Sequence, residues 1–144
     1  MSCVVKEWLP VAKVQEEYKK KLVTADEAVK VVKSGDYLHY GLFTGVVVDL
    51  DTALAKRTQE LEDVTICTTM WSYAEPPAVL QADPKAEHFH YASSHFTPIE
   101  RKCNKAGNCW FLPVQFRENT KFYEECRPTF DVAMLQVAPM DKSG

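Results

Sequence analysis

The stretch GDYLHYGLFTGVVVDLDTALAKRTQEL, Gly35–Leu61, decides the fold. Tyr37, Leu38, His39 and Tyr40 suit an extended strand, since aromatic side chains pack well on a pleated surface. Gly41 and Gly45 bracket a loop in which the backbone can take φ > 0 or approach a ligand closely. Asp49 or Asp51 can cap the helix that follows. Leu50, Ala53, Leu54 and Leu61 then recur at helical spacing and give it one apolar stripe. A strand feeding a helix through a glycine loop is the first half of a βαβ unit. In open α/β sheets, ligands sit outside the carboxyl ends of the strands, where this loop falls. Two readings stand: backbone N–H groups offered to an anion at a helix N-terminus, or a tight turn with glycines for geometry alone. Neither GxGxxG nor GxxxxGK[ST] is present, so neither nucleotide fingerprint is met.

Upstream, Thr24-Ala25-Asp26-Glu27 reads as a capping box opening a helix that Gly35 ends. Residues 1–23 read as a helical lead-in, helical after Pro10 and closing on Lys19, Lys20 and Lys21, and residues 24–144 as the α/β domain. Downstream, Asp63–Thr69 is a β-branched strand, Pro76-Pro77 opens a short helix, and Phe89–Ala92 is a third strand. Thr97-Pro98-Ile99-Glu100 is a second capping box whose helix stops at Ala106-Gly107. Trp110–Leu112 reads as a short strand and Glu118–Cys126 as a helix. Asp131–Val137 is almost wholly apolar, the pattern of a strand buried on both faces. Alternation of this kind predicts an α/β fold with a mostly parallel sheet flanked by helices. The closing Asp141-Lys142-Ser143-Gly144 is turn chemistry, so a longer protein is expected, with this chain ending inside it.

Apolar residues make up 46% of the 144, enough for a core. A net charge of −3 gives no basic footprint for nucleic acid, and no apolar run is long enough to span a membrane. The five cysteines form no CxxC pair; they read as reduced thiols of a cytoplasmic protein, and no metal site is expected. His95 lies in a loop after Ser93-Ser94, but nothing in the sequence supplies the base and oxyanion hole that a serine nucleophile needs. It is read as a polar contact near a ligand. His88 and His90 alternate along a strand, so a two-ligand metal site is weighed against ordinary strand surface. Arg101 is read as either a phosphate contact or outward charge on its helix. Asp49, Asp51, Glu124 and Glu125 are read as helix-end or solvated charges, and no catalytic pair of acids stands out.

Five segments together resemble the N-terminal domain of the acetyl-CoA hydrolase/transferase family: Thr24–Asp36, Gly41–Arg57, Glu60–Ile66, Ser94–Lys102 and, most specifically, Asp131–Gly144. The resemblance implies the first of two similar CoA-transferase-type domains. It implies an enzyme moving coenzyme A between short-chain carboxylic acids such as butyrate, acetate and 4-hydroxybutyrate. A glutamate attacks the acyl-CoA thioester and passes through an anhydride to a glutamyl-CoA thioester, with oxyanion donors stabilising each tetrahedral intermediate. That glutamate is expected beyond residue 144, so no catalytic residue is assigned here. By matched position Gly41, Thr44 and Gly45 face the substrate cleft, with His95, Arg101 and Gln136 as further substrate-binding candidates. Some members carry a histidine inside the glycine loop; here it reads Leu42-Phe43-Thr44, and an apolar Phe43 favours a short fatty acid over a hydroxy acid. No bound cofactor is implied, coenzyme A entering as a substrate thioester. The implied partners are the chain's own C-terminal domain and further copies in a homo-oligomer. A thioester hydrolase of the same family and a non-catalytic α/β binding module are the alternative readings.

Overall fold

The computed structural model describes residues 11–126 and 130–141. They divide into two units, Ala25–Val137 and the residues on either side of it. In the smaller unit, helix α1, Val11–Lys21, carries its three lysines in the last turn, where a cation complements the exposed carbonyls. No helix among the described residues is long and apolar enough to cross a membrane.

The larger unit is built on a five-stranded sheet: β1 Tyr37–Tyr40, β2 Val64–Thr68, β3 Phe89–Ser93, β4 Cys109–Phe111 and β5 Val132–Met134. The strand order is β4-β3-β2-β1-β5 and every ladder is parallel. Helices α3 Val48–Ala55, α4 Ala78–Ala82 and α5 Pro98–Ala106 make the connections between successive strands from β1 to β4. Register partners share a face, so Leu38, Ile66, Tyr91 and Cys109 line up across four strands, all buried. Leu54 of α3, Val79 and Leu80 of α4 and Cys103 of α5 close that core. On the opposite face Tyr37 stacks on Phe130 at 5.0 Å, and His39 meets Tyr123 and Phe130 edge-on. Tyr123 belongs to Phe116–Cys126, which winds as 3₁₀, α and π turns in succession rather than the regular helix expected there.

The second capping box forms as read: Thr97 accepts from the Glu100 N–H, Glu100 accepts from the Thr97 N–H, and Gly107 closes α5 at φ +90. The first helix does not run to Gly35. Helix α2 is only Ala25–Ala28, followed by a 3₁₀ turn at Val29–Val31 and extended backbone at Val32. Three valines in four residues resist helical extension, and the Arg57 guanidinium takes the Val29 and Val32 carbonyls instead. Gly35 turns the chain into β1 at φ +83.

Nor is Asp131–Val137 buried on both faces. Strand β5 is three residues long and pairs only with β1 at the sheet edge, while Leu135 and Val137 stand 60% and 79% exposed. An apolar run signals burial only when a neighbour lies on each side, and here the chain leaves the ladder at Met134. Of the cysteines, Cys67, Cys103 and Cys109 are buried thiols in no disulfide among the described residues; Cys3 and the Cys126 side chain lie outside those residues.

Candidate functional site

An all-parallel sheet brings every strand exit to one edge, so the loops after β1, β2, β3, β4 and β5 share it. The chain proceeds from β1 to β2, β3 and β4, then returns to pair β5 on the other side of β1. The order therefore reverses between β1 and β5, and the Gly41–Gly45 loop lies at that reversal. Gly41 N–H donates to Met134 O and Gln136 N–H to Gly45 O, both at 2.9 Å, which fastens the loop to the exit of β5. Phe43 N–H donates to Thr69 O, and Phe43 pairs with Trp71 in an isolated parallel bridge, which fastens it to the exit of β2.

Gly41 is sterically required. A Cβ there would stand 2.1 Å from the Gly45 carbonyl oxygen and 2.7 Å from its carbon. Gly45 is less constrained: its added Cβ would meet Leu42 O at 3.1 Å. Neither glycine takes positive φ; the left-handed residue of this loop is Phe43, at φ +52. A bulky residue held there is strained, and its ring is left 38% exposed beside Phe116, centroids 6.2 Å apart.

The loop divides the candidate residues between two clefts. One, of about 260 Å³, is lined by Phe43, Thr69, Ser94, His95, Val114 and Phe116. Thr69 and Ser94 hydroxyls are joined at 2.7 Å on its wall. The other, of about 380 Å³, is lined by Val47–Leu50 and by Leu135, Gln136 and Val137. Gln136 Oε1 accepts from the Tyr73 hydroxyl at 3.2 Å. Thr44 sits exposed at the loop tip. Arg101 lines neither cleft; its guanidinium donates to Phe96 O at 2.8 Å and so serves the start of its own helix. His88 precedes β3 and bonds Leu61 O through Nδ1, whereas His90 pairs with Asp63, so the two do not converge on a metal. Among the described residues no group of three potential metal ligands occurs. His39 is covered by aromatic rings, and burial holds its pKa below the ordinary value.

Two of the buried acids, Asp51 and Glu100, make inward contacts that the sequence does not reveal. Asp51 does not cap α3, whose N-cap is Val47. It turns inward, accepting from the Tyr40 hydroxyl at 3.1 Å and from Ala78 N–H. Burial pushes it up to about 6, against the pull of the Ala78, Tyr40 and Val79 hydrogen bonds. Glu100 reads as a capping residue and is one, but it is also fully buried and accepts Trp71 N–H at 3.2 Å. Tyr91, whose buried hydroxyl has no hydrogen-bond partner among the described residues, is raised by burial, then by Glu100 and Asp51. The spacing Asp49-x-Asp51 marked a helix start; it could not show which acid faces in.

The acetyl-CoA hydrolase/transferase N-terminal domain profile matches residues 8–144. The chain belongs to this family. Among curated acetyl-CoA hydrolase/transferase relatives, it is 46% identical over 132 residues to the butyryl-CoA:acetate CoA-transferase of Anaerostipes caccae, covering 90% of this chain and 29% of that protein. It is likewise 46% identical over 134 residues to a probable butyrate:acetyl-CoA coenzyme A-transferase of Syntrophomonas wolfei, covering 92% and 29%. A 4-hydroxybutyrate coenzyme A transferase of Clostridium kluyveri is 28% identical over 130 residues, covering 90% and 30%. The chain thus spans less than a third of the length of these relatives. The crystal structure of RipA from Yersinia pestis superposes with a TM-score of 0.74 at 23% identity, over 89% of this chain and 31% of that one, and shares the fold.

Proposed function

We propose that this chain is the N-terminal part of a CoA-transferase that moves coenzyme A between short-chain carboxylic acids, butyrate and acetate foremost. Family membership supports the reaction class, and one feature of this chain carries the choice of acid: the strained, half-exposed Phe43 ring beside Phe116 and Val114. An apolar wall with Thr69, Ser94 and His95 at its polar end suits a short aliphatic acyl group whose carbonyl needs hydrogen bonds. Membership of the family supports a nucleophilic glutamate beyond this domain, and no carboxylate lines that cleft among the described residues. On this reading the loop of Gly41, Thr44 and Gly45 borders the substrate site with His95 in the cleft on one side and Gln136 in the cleft on the other, and Arg101 stands outside it. The rest of the protein closes the site, no resident cofactor is needed, and the enzyme works in the cytoplasm as a homo-oligomer.

The test is to express the gene product continuing past codon 144 and supply butyryl-CoA with acetate. Formation of acetyl-CoA is expected, with residues 1–144 alone at least a hundredfold slower. Phe43→Ser in the long form should shift kcat/KM toward 4-hydroxybutyrate by about tenfold, a change of about 1.4 kcal/mol. Release of free CoA at the same rate with and without acetate would mark a hydrolase instead. Comparable transfer by residues 1–144 alone would defeat the assignment of the nucleophile.

A further inference from the structure

The loop after β2 is bracketed by two buried carboxylates from elsewhere in the chain. Trp71, one of its first residues, donates its N–H to Glu100 Oε1 on α5. Ala78, where the loop meets α4, donates its N–H to Asp51 Oδ2 on α3. Between them the Trp71 indole N–H bonds Glu75 O at 2.7 Å, and the indole is buried. Residues 72–75 stand exposed, and Tyr73 among them donates its hydroxyl to Gln136. Each carboxylate is tied down by its other oxygen, Glu100 by Thr97 N–H at 2.8 Å and Asp51 by the Tyr40 hydroxyl. Neither acid has a cationic partner among the described residues, so each hydrogen bond to a loop N–H bears directly on a buried acceptor.

We propose that Glu100 and Asp51 are paired positioning residues that clamp the Trp71–Pro77 loop at its two ends and so hold Tyr73 and the Phe43–Trp71 bridge in place over the acyl-binding edge. The inference rests on the function proposed above only for its consequence in catalysis; the clamp itself is a statement about this fold. Capping alone does not account for Glu100, because one of its oxygens leaves α5 for the loop. A helix-start charge does not account for Asp51, because its carboxylate faces the core. A site held within a fraction of an ångström needs supporting groups of this kind, rigid and removed from the substrate.

The test is amide hydrogen exchange by NMR on residues 1–144. Exchange at Trp71 and at Ala78 is read relative to Ile66 in the same sample, which cancels any change common to the whole fold. Glu100→Ala should raise the Trp71 ratio at least tenfold, and Asp51→Ala the Ala78 ratio at least tenfold. Should an alanine variant fail to fold, Glu100→Asp and Asp51→Ser draw the acceptor back while keeping a polar group, and a rise of fivefold or more is expected. Ratios within twofold of wild type overturn the clamp. In the long gene product, Glu100→Ala and Asp51→Ala should raise KM for acetate about tenfold with kcat within threefold, and Glu100→Gln and Asp51→Asn should restore it. An unchanged KM overturns the catalytic consequence. A gene product that transfers no CoA defeats the functional reading, while the exchange ratios still decide the clamp.

Discussion

The loops after β1 and after β2 lie side by side, joined at Phe43 and Trp71, yet they are held by different means. The β1 loop is held by backbone against backbone: Gly41 lets the Gly45 carbonyl lie where a side chain would be, and Gln136 N–H takes that carbonyl. The β2 loop is held by side chains, two carboxylates reaching in from α3 and α5. A loop fixed by its own backbone tolerates no side chain at the point of contact. A loop fixed in part by Asp51, whose pKa burial raises, answers there to proton concentration.

The sharpest way to break the first arrangement is Gly41→Ala. A methyl group 2.1 Å from a carbonyl oxygen cannot be accommodated without moving the loop. A loss of about 4 kcal/mol is expected in urea denaturation. Less than about 1 kcal/mol would mean the loop shifts freely and the contact does not fix it.

The second arrangement is sharpened by Asp51→Asn. The folded value of Asp51 is raised from 3.8 to about 6, chiefly by burial. The native state therefore holds the proton more tightly than the unfolded chain, and the resulting stability is full below about pH 3.8 and lost as pH rises through about 6. The groups facing Asp51 are the Tyr40 hydroxyl, the Ala78 and Val79 N–H groups and, at longer range, Tyr91. The asparagine variant lacks this loss, so between pH 4 and pH 7 it should gain up to about 3 kcal/mol relative to the wild type. Parallel stability profiles across that range would show that Asp51 is not the buried acid described.

Gly45→Ala tests the asymmetry within the β1 loop. Its Cβ meets one carbonyl oxygen at 3.1 Å with no positive φ to offend, so about 1 kcal/mol is expected, well below the cost at Gly41. Equal costs at the two positions would erase the distinction. Tyr73→Phe removes the hydroxyl contact to Gln136, which is exposed; thermal unfolding should change by less than about 0.5 kcal/mol.

What the sequence made legible follows from how far apart the interacting residues lie. The strands, their parallel order of connection and the Thr97–Glu100 capping box depend on neighbours within a few residues, and the residue types at those spacings declare them. The glycine loop was placed correctly at the carboxyl edge, but the reason for glycine there is the way the loop folds the Gly45 carbonyl back onto Gly41, so the demand falls on Gly41 and the positive φ on Phe43. The carboxylate contacts join residues 27 and 29 positions apart, Asp51 with Ala78 and Glu100 with Trp71, and no local pattern reveals them. The apolar run at Asp131–Val137 misled for a related reason. Hydrophobicity along a strand does not state how many neighbours that strand will have, and β5 has one.

Buried thiols supply a clock for motions of this sheet. Cys67 lies on β2 at the sheet centre and Cys109 on β4 at its edge, each at most 1% exposed. Burial pushes the Cys109 thiol up to about 12, so it has almost no thiolate while the strand is in place. An alkylating reagent at mildly alkaline pH can reach either sulfur only when its strand opens. The two modification rates therefore time two separate events, the fraying of one edge and the parting of the middle, and their ratio measures how far the sheet opens as a single body.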